Sequence, residues 1–272
     1  MIYGLRINHI QAFDELQAQI IVGNSRKQIV ADISSNYDVK QGTVYSWYSG
    51  KTIPLGRKGE VEIREELFYV LGALLGDGCI YKYKPTNNKV ILSGDEKFTR
   101  KFAEKLSLCI DRPVKNYINR RRHHWFVSVD NYQLYEMFKR SRENIEFLDR
   151  QIAENGPGAA ISFIEGYFDA EGCVKVIKEE IRKTPKICLD ITNTNLTHLE
   201  LVRKLLERHM KIIAKYSNQE AYTDKNGRPR KKSYHLRIYK KEYIRRFCQL
   251  ITTTKLYKEK QRYLQNWLTN GL

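Results

Sequence analysis

Polar and apolar positions change period several times along the chain, and each change marks an element. Residues 1–24 place Ile10, Phe13, Leu16, Ile20 and Ile21 at helical spacing. Ile33, Tyr37, Val39, Val44 and Trp47 follow with the spacing of two short helices that bury a common core across a tight turn. Asp38 occupies that turn, where it tolerates positive φ, and the small Ser34 permits close helix contact. The stretch 52–59, punctuated by Pro54, Gly56 and Gly59, sets a boundary near residue 60. From Glu65 a helix is predicted, followed by alternation through 80–84, a turn at 85–88 and a return through 89–93, which reads as a hairpin. Phe98, Phe102, Leu106 and Ile110 line one face of a helix over 95–110. Strands at 114–119 and 124–129 flank the Arg120–Arg121–Arg122 turn, and 132–140 is helical again.

The resulting order, αββαββα, recurs after residue 158. Strands at 174–176 and 186–192, a helix at 196–209, strands at 212–217 and 233–239 around a long basic tip at 223–232, and helices at 243–251 and 256–268 complete it. The fold class read from this pattern is α+β: two pseudo-symmetric αββαββα repeats, 65–155 and 156–272, forming a concave β-saddle. A small all-α domain over 1–60 precedes the main domain over 61–272.

Two stretches opening the repeats are nearly alike: Val70-Leu-Gly-Ala-Leu-Leu-Gly-Asp-Gly-Cys79 and Ile164-Glu-Gly-Tyr-Phe-Asp-Ala-Glu-Gly-Cys173. In each, two small residues four apart (Gly72 and Gly76, Gly166 and Ala170) leave a bare stripe on one helix face, along which a second helix can approach closely. Neither apolar run approaches the roughly 18 residues needed to span a bilayer. Gly78 and Gly172 read as helix stops, which puts Asp77 and Glu171 at helix C-termini, where the macrodipole disfavours negative charge. Packing the stripes together brings the two carboxylates near each other, and a divalent cation between them removes the conflict.

Charge narrows the partner. Lys plus Arg number 48 against 31 Asp plus Glu, a formal net charge of +17 with a pI near 9.6. An excess of this size points to a polyanion, and nucleic acid is favoured over membrane because no lipidation signal or long basic amphipathic helix accompanies it. The five cysteines form no CxxC pair, and no zinc-spaced His cluster occurs, so the chain is expected in a reducing, intracellular compartment, cytoplasmic or nucleoid-associated and not secreted. Cys79 and Cys173 hold matching positions and are expected to be packing sites. His123 and His124 point to opposite faces if extended, and their arginine neighbours favour phosphate contact over catalysis.

The pattern G-x-x-x-[GA]-[DE]-G, present twice with its acids at 77 and 171, resembles the LAGLIDADG homing endonucleases in their single-chain, two-motif form. The resemblance covers roughly residues 66–268. It implies hydrolysis of both strands of duplex DNA at a long, nearly asymmetric site, leaving short 3′ overhangs, with Asp77 and Glu171 each holding Mg²⁺ and Mn²⁺ expected to substitute. Family members often place a polar or basic pair after the second strand of each half. Here the corresponding residues are Ser93–Gly94 and Asn193–Thr194, of which Asn193 keeps the polar group. Lys255 lies in a segment resembling the family's P-x-K-x-x-K-L run, with Thr253 in place of Pro. It is either a basic auxiliary or an exposed lysine at a helix start.

Residues 26–51 resemble a helix-turn-helix, with Asp38 where that motif carries Gly. Lys40, Gln41 and Ser46 would then face a major groove; a helical cap without DNA contact is the alternative. Strand alternation makes Lys82, Lys84, Lys115, Tyr117, Asn119, Arg121, Lys186, Lys215, Arg237 and Tyr239 groove-facing candidates, with Arg230 in the basic tip. The partner is double-stranded DNA, and the protein is expected to be a monomer with internal pseudo-twofold symmetry. A DNA-binding transcription regulator, and an RNA maturase acting on intron RNA, are the rival functions on the same fold.

Overall fold

The structure, a computed structural model, describes residues 2–52, 54, 61–81, 88–110, 113–121, 123–177, 186–255 and 258–269. Helices α1 (Ile2–Val22), α2 (Arg26–Tyr37) and α3 (Gln41–Tyr48) open the chain. Ser25 caps α2 by accepting from the Gln28 N–H at 3.3 Å. The α2–α3 turn follows the sequence expectation: Asp38 is left-handed at φ 50°, and the Ser34 hydroxyl donates to the Val39 carbonyl at 2.6 Å. Leu16, Ile33, Val39, Val44 and Trp47 are buried together in a core of their own. Ile21 departs from expectation. It is 85% exposed, one residue past the stripe of Ala12, Leu16 and Ile20.

The first repeat runs α4 (Glu65–Asp77), β1 (Gly78–Tyr81), β2 (Lys89–Gly94), α5 (Glu96–Cys109), β3 (Tyr117–Asn119), β4 (His124–Asp130) and α6 (Tyr132–Glu143). The second runs α7 (Ile145–Glu171), β5 (Gly172–Ile177), β6 (Lys186–Asn193), α8 (Leu196–Met210), β7 (Lys215–Gln219), β8 (Tyr222–Thr223), β9 (Pro229–Arg230), β10 (Ser233–Ile238) and α9 (Lys241–Leu250), with α10 (Lys258–Thr269) after it. The fold is α+β, and the two four-stranded antiparallel sheets have matching orders, β1-β2-β4-β3 and β5-β6-β10-β7. The basic tip is more ordered than an open loop, because β8 and β9 pair within it.

Every residue of α4 from Leu67 to Leu75 is buried, as suits a helix enclosed on all sides. By contrast α5 hides one stripe, Phe98, Phe102 and Leu106, beneath the first sheet. Residues 145–155, to which the sequence pattern assigned no element, form a first arm of α7. A break at Gly156 (φ 83°) separates this arm from the motif helix, which Pro157 opens with a pre-set helical φ. In each sheet one face is apolar and covered, through Val90, Leu92, Val127 and Val129 in the first and Val174, Leu189, Ile191 and Leu236 in the second. The other face of the first sheet is exposed or half-buried, while that of the second buries Cys188, Asp190 and His235 and leaves its ends accessible.

Candidate functional site

The site begins with two helices that touch backbone to backbone. A Cβ placed on Gly72 would lie 2.2 Å from the Phe163 carbonyl oxygen, and one on Gly166 would lie 2.0 Å from the Tyr69 carbonyl oxygen. These contacts are reciprocal, since Phe163 stands to Tyr69 as Gly166 stands to Gly72 in the repeat. The helices are therefore related by a pseudo-twofold axis. Gly76 meets its own counterpart, Ala170, where an added Cβ would come within 2.4 Å of the alanine Cβ. That pair sits across the axis, and the next residue on each helix is the motif acid.

Asp77 and Glu171 end their helices, and strands begin at once. Gly78 and Gly172 do stop the helices, but neither is left-handed: their φ values are −85° and −83°. Glycine is required there because a Cβ would lie 2.4 Å from the carbonyl oxygen of Leu74 or of Phe168.

Burial and proximity both act on the acids. Burial raises the Asp77 carboxyl above its ordinary value, and the positive charge of Lys255 opposes that rise. Burial and then the Asp77 charge push Glu171 up to about 7, against the pull of Lys255 and of a hydrogen bond from Asn193. The Asn193 amide donates to Glu171 Oε1 at 2.7 Å. Lys255 Nζ lies 5.7 Å from the centroid of the Phe98 ring and acts on both acids. The four residues singled out from sequence thus meet at one place: two carboxylates, an amide holding one of them, and a shared lysine.

Residues 159–252 match the LAGLIDADG-like domain family. The second half of the chain thus carries a LAGLIDADG-like domain. The match takes in the second motif and Glu171, while the first motif repeats it in fold and in glycine contacts. Among curated proteins, the chain is 27% identical over 256 residues to the Methanocaldococcus jannaschii protein MJ0398, itself uncharacterized, covering 87% of this chain and 84% of that one. MJ0314 of the same organism is 27% identical over 167 residues, 60% of this chain and 59% of that one. Among solved structures, the homing endonuclease I-DmoI is similar at 23% identity over 69% of this chain and 94% of that one, with a TM-score of 0.48. The N-terminal LAGLIDADG domain of DUF199/WhiA is similar at 16% identity over 75% and 89%, with a TM-score of 0.46.

The site has donors suited to a divalent cation without being a closed cage. No group of three or more His, Cys, Asp or Glu able to hold a metal occurs among the described residues. Two carboxylates of like charge, Asp77 exposed and Glu171 half-buried, fit Mg²⁺, which is commonly bound by one or two carboxylates and completed by water and substrate phosphate oxygens.

Around the two motif acids, the polar sheet faces and their margins carry most of the remaining candidates. Tyr117 and Asn119 lie opposite Phe126 and His124 on the open side of the first sheet, with Lys115 and Arg121 exposed beside them. On the second sheet Lys215 is paired opposite Arg237, Lys186 begins β6, and Tyr239 is exposed just past β10. Lys40 and Gln41 are exposed at the start of α3. Lys82 and Lys84 lie outside the described residues.

Ser46, Arg230 and Arg237 are among the candidates already engaged within the fold. The Ser46 hydroxyl is 2.7 Å from that of Thr52. Arg230 donates from Nε and Nη2 to Asp224 Oδ2 at 3.0 and 2.9 Å and so braces the tip turn. Arg237 Nε contacts Asp190 Oδ1 at 3.4 Å. The packing role expected of Cys79 and Cys173 is not borne out at Cys79, which is exposed, while Cys173 is half-buried.

Sequence reasoning missed two buried clusters. Asp190 is fully buried on the polar side of the second sheet, paired with Lys175, Arg237 and His235, whose Nδ1 is 3.2 Å away. The available signal was an acid inside the apolar run 187–191. The other cluster joins Tyr69, Lys101, Glu165 and Asp169 beneath the motif acids. Its signal was the pair Glu165 and Asp169, which stand where the first motif has Leu71 and Leu75.

Proposed function

We propose that the chain is a divalent-metal-dependent, site-specific endonuclease that hydrolyses both strands of duplex DNA. The observation that supports this most directly is the convergence of Asp77, Glu171, Asn193 and Lys255 at the ends of a glycine-packed helix pair. A centre on a pseudo-twofold axis suits two antiparallel strands, with one motif acid beside each scissile phosphate. Mg²⁺ or Mn²⁺ bound there would supply an activated water and offset phosphoryl charge. Asp77 and Glu171 would be its protein ligands. Asn193 holds the Glu171 carboxylate in one orientation, and Lys255 tempers the repulsion between the acids and places positive charge near the leaving oxygen. The polar sheet faces and their margins, with Lys115, Tyr117, Asn119, Arg121, Lys186, Lys215 and Tyr239, would lie along the grooves, where Lys, Arg, Asn and Tyr serve phosphates and base edges alike. The all-α domain over 1–60 would extend the footprint through Lys40 and Gln41 as a helix-turn-helix. The family resemblance adds the short 3′ overhangs and the long target.

The test is cleavage of a randomised duplex library in Mg²⁺ and in Mn²⁺ by the full chain and by Asp77→Asn and Glu171→Gln. Both variants are expected to lose double-strand cleavage by at least about 10³-fold while retaining DNA affinity, as befits removal of charge stabilisation at the reacting centre. Sequence-specific binding with no cleavage by the unaltered chain would instead mark a DNA-binding regulator. Tight binding of structured RNA alone would mark a maturase.

A further inference from the structure

The helix that ends at Glu171 differs from its partner in one respect that the motif does not require. Glu165 and Asp169 replace the leucines found at positions 71 and 75. The Asp169 side chain is fully buried, and that of Glu165 is 15% exposed. A buried carboxylate is tolerated only when donors satisfy it. Asp169 is satisfied on both oxygens, from opposite directions. Its Oδ2 accepts from the Tyr69 hydroxyl and from Lys101 Nζ, each at 2.9 Å. Its Oδ1 accepts from the Thr253 hydroxyl at 2.6 Å and from the Thr254 backbone N–H at 2.7 Å.

The second pair of bonds reaches a segment with no regular structure of its own. Residues 251–255 lie between α9 and α10 and belong to no helix or strand. Lys101, itself paired with Glu165, donates to the Thr252 carbonyl. The Thr253 hydroxyl then accepts from the Lys255 backbone N–H at 3.1 Å. Three consecutive residues are therefore tied down by side chains from beneath the motif acids, and the fourth is Lys255, whose charge acts on Asp77 and Glu171 together. In the first repeat α6 passes to α7 through Asn144 alone, with no comparable segment and no lysine.

We propose that Asp169, seated on Tyr69 and Lys101, is a positioning residue that clamps Thr253 and Thr254 and thereby delivers Lys255 to the acid pair. The proposal rests on reading Asp77 and Glu171 as the cleavage centre. One clamped lysine then serves both acids, and the asymmetry between the two motifs is the device that installs it.

A double-mutant cycle in the full-length chain tests the clamp. Lys255→Met is expected to lower kcat about 10²-fold with the KM for duplex DNA unchanged. Asp169→Asn, which keeps shape and loses charge, is expected to lower kcat up to about 10²-fold, again without moving KM. Combined, the two should cost no more than Lys255→Met alone, because Asp169 acts through that lysine. Amide hydrogen exchange at Thr254 should quicken in Asp169→Asn and stay unchanged in Lys255→Met. Thr253→Val, which removes one donor and leaves the acid in place, should show the same pattern more weakly and replaces Asp169→Asn if that variant does not fold. Losses that multiply, or unchanged exchange at Thr254, overturn the clamp. Undiminished cleavage by Lys255→Met overturns it through the lysine and leaves the acid pair standing. If the unaltered chain cuts no DNA, the endonuclease reading falls, and the exchange at Thr254 decides the clamp by itself.

Discussion

Glu171 carries the sharpest residue-level consequence. Its carboxyl is pushed from an ordinary 4.5 up to about 7 by burial and by the Asp77 charge. Between those pH values the folded protein holds a proton that the unfolded chain has released. Its contribution to stability is therefore complete below pH 4.5 and lost as pH rises through about 7. In chelator, thermal denaturation from pH 4 to 8 should show the unaltered chain losing stability across this window relative to Glu171→Gln. Divalent cation added at pH 8 should raise the melting temperature of the unaltered chain and leave that of Glu171→Gln nearly unmoved, since cation and ionised carboxylate stabilise each other. Equal pH slopes for the two proteins would show that Glu171 is not held protonated. Asp77 and Glu171 were legible from sequence because their distinguishing context, an acid between a small-residue stripe and a glycine, is local. Asn193 and Lys255 were reachable only through the family resemblance.

Among the elements, the glycine-packed helix pair decides whether the acids meet. At Gly72 and Gly166 the atom that a Cβ would strike is backbone oxygen, which cannot rotate away. Gly72→Ala and Gly166→Ala are each expected to cost about 3 kcal/mol or more in chemical denaturation, as overpacking of a rigid contact does. Cleavage should fall further than stability alone explains, because the helices must part. Gly42 in α3 is the control, with open space where its Cβ would go. Gly42→Ala is expected to stabilise the N-terminal core by about 0.5 kcal/mol through helix propensity. Helices with one buried stripe, such as α5, and the Asp38 turn followed from sequence, because i, i+4 spacing and turn chemistry are short-range. The first arm of α7 did not, because residues 145–155 offered no clear pattern before the Gly156 break.

Taken together, the +17 charge, the exposed basic residues of the two sheets and a separate three-helix core suit the proposed binding along a polyanion. Binding to duplex DNA should weaken steeply with salt. Lys40→Ala should reduce the slope of log K against log salt by about 0.9, the value for one phosphate contact. Deleting residues 1–60 should reduce it by several such steps while leaving cleavage of a cognate duplex at low salt intact. A slope unchanged by the deletion would make the N-terminal helices a cap rather than a DNA-binding domain.

Periodicity along the chain was enough to establish the α+β class, the repeated order of elements and the two motif acids, since each depends on residues a few positions apart. Folding alone decided what surrounds them. Asp169 meets Thr253 across 84 positions, and Asp190 meets His235 across 45. No local pattern records such pairings. A buried acid is read from sequence as an exposed one until the fold supplies the donors that make its burial tolerable.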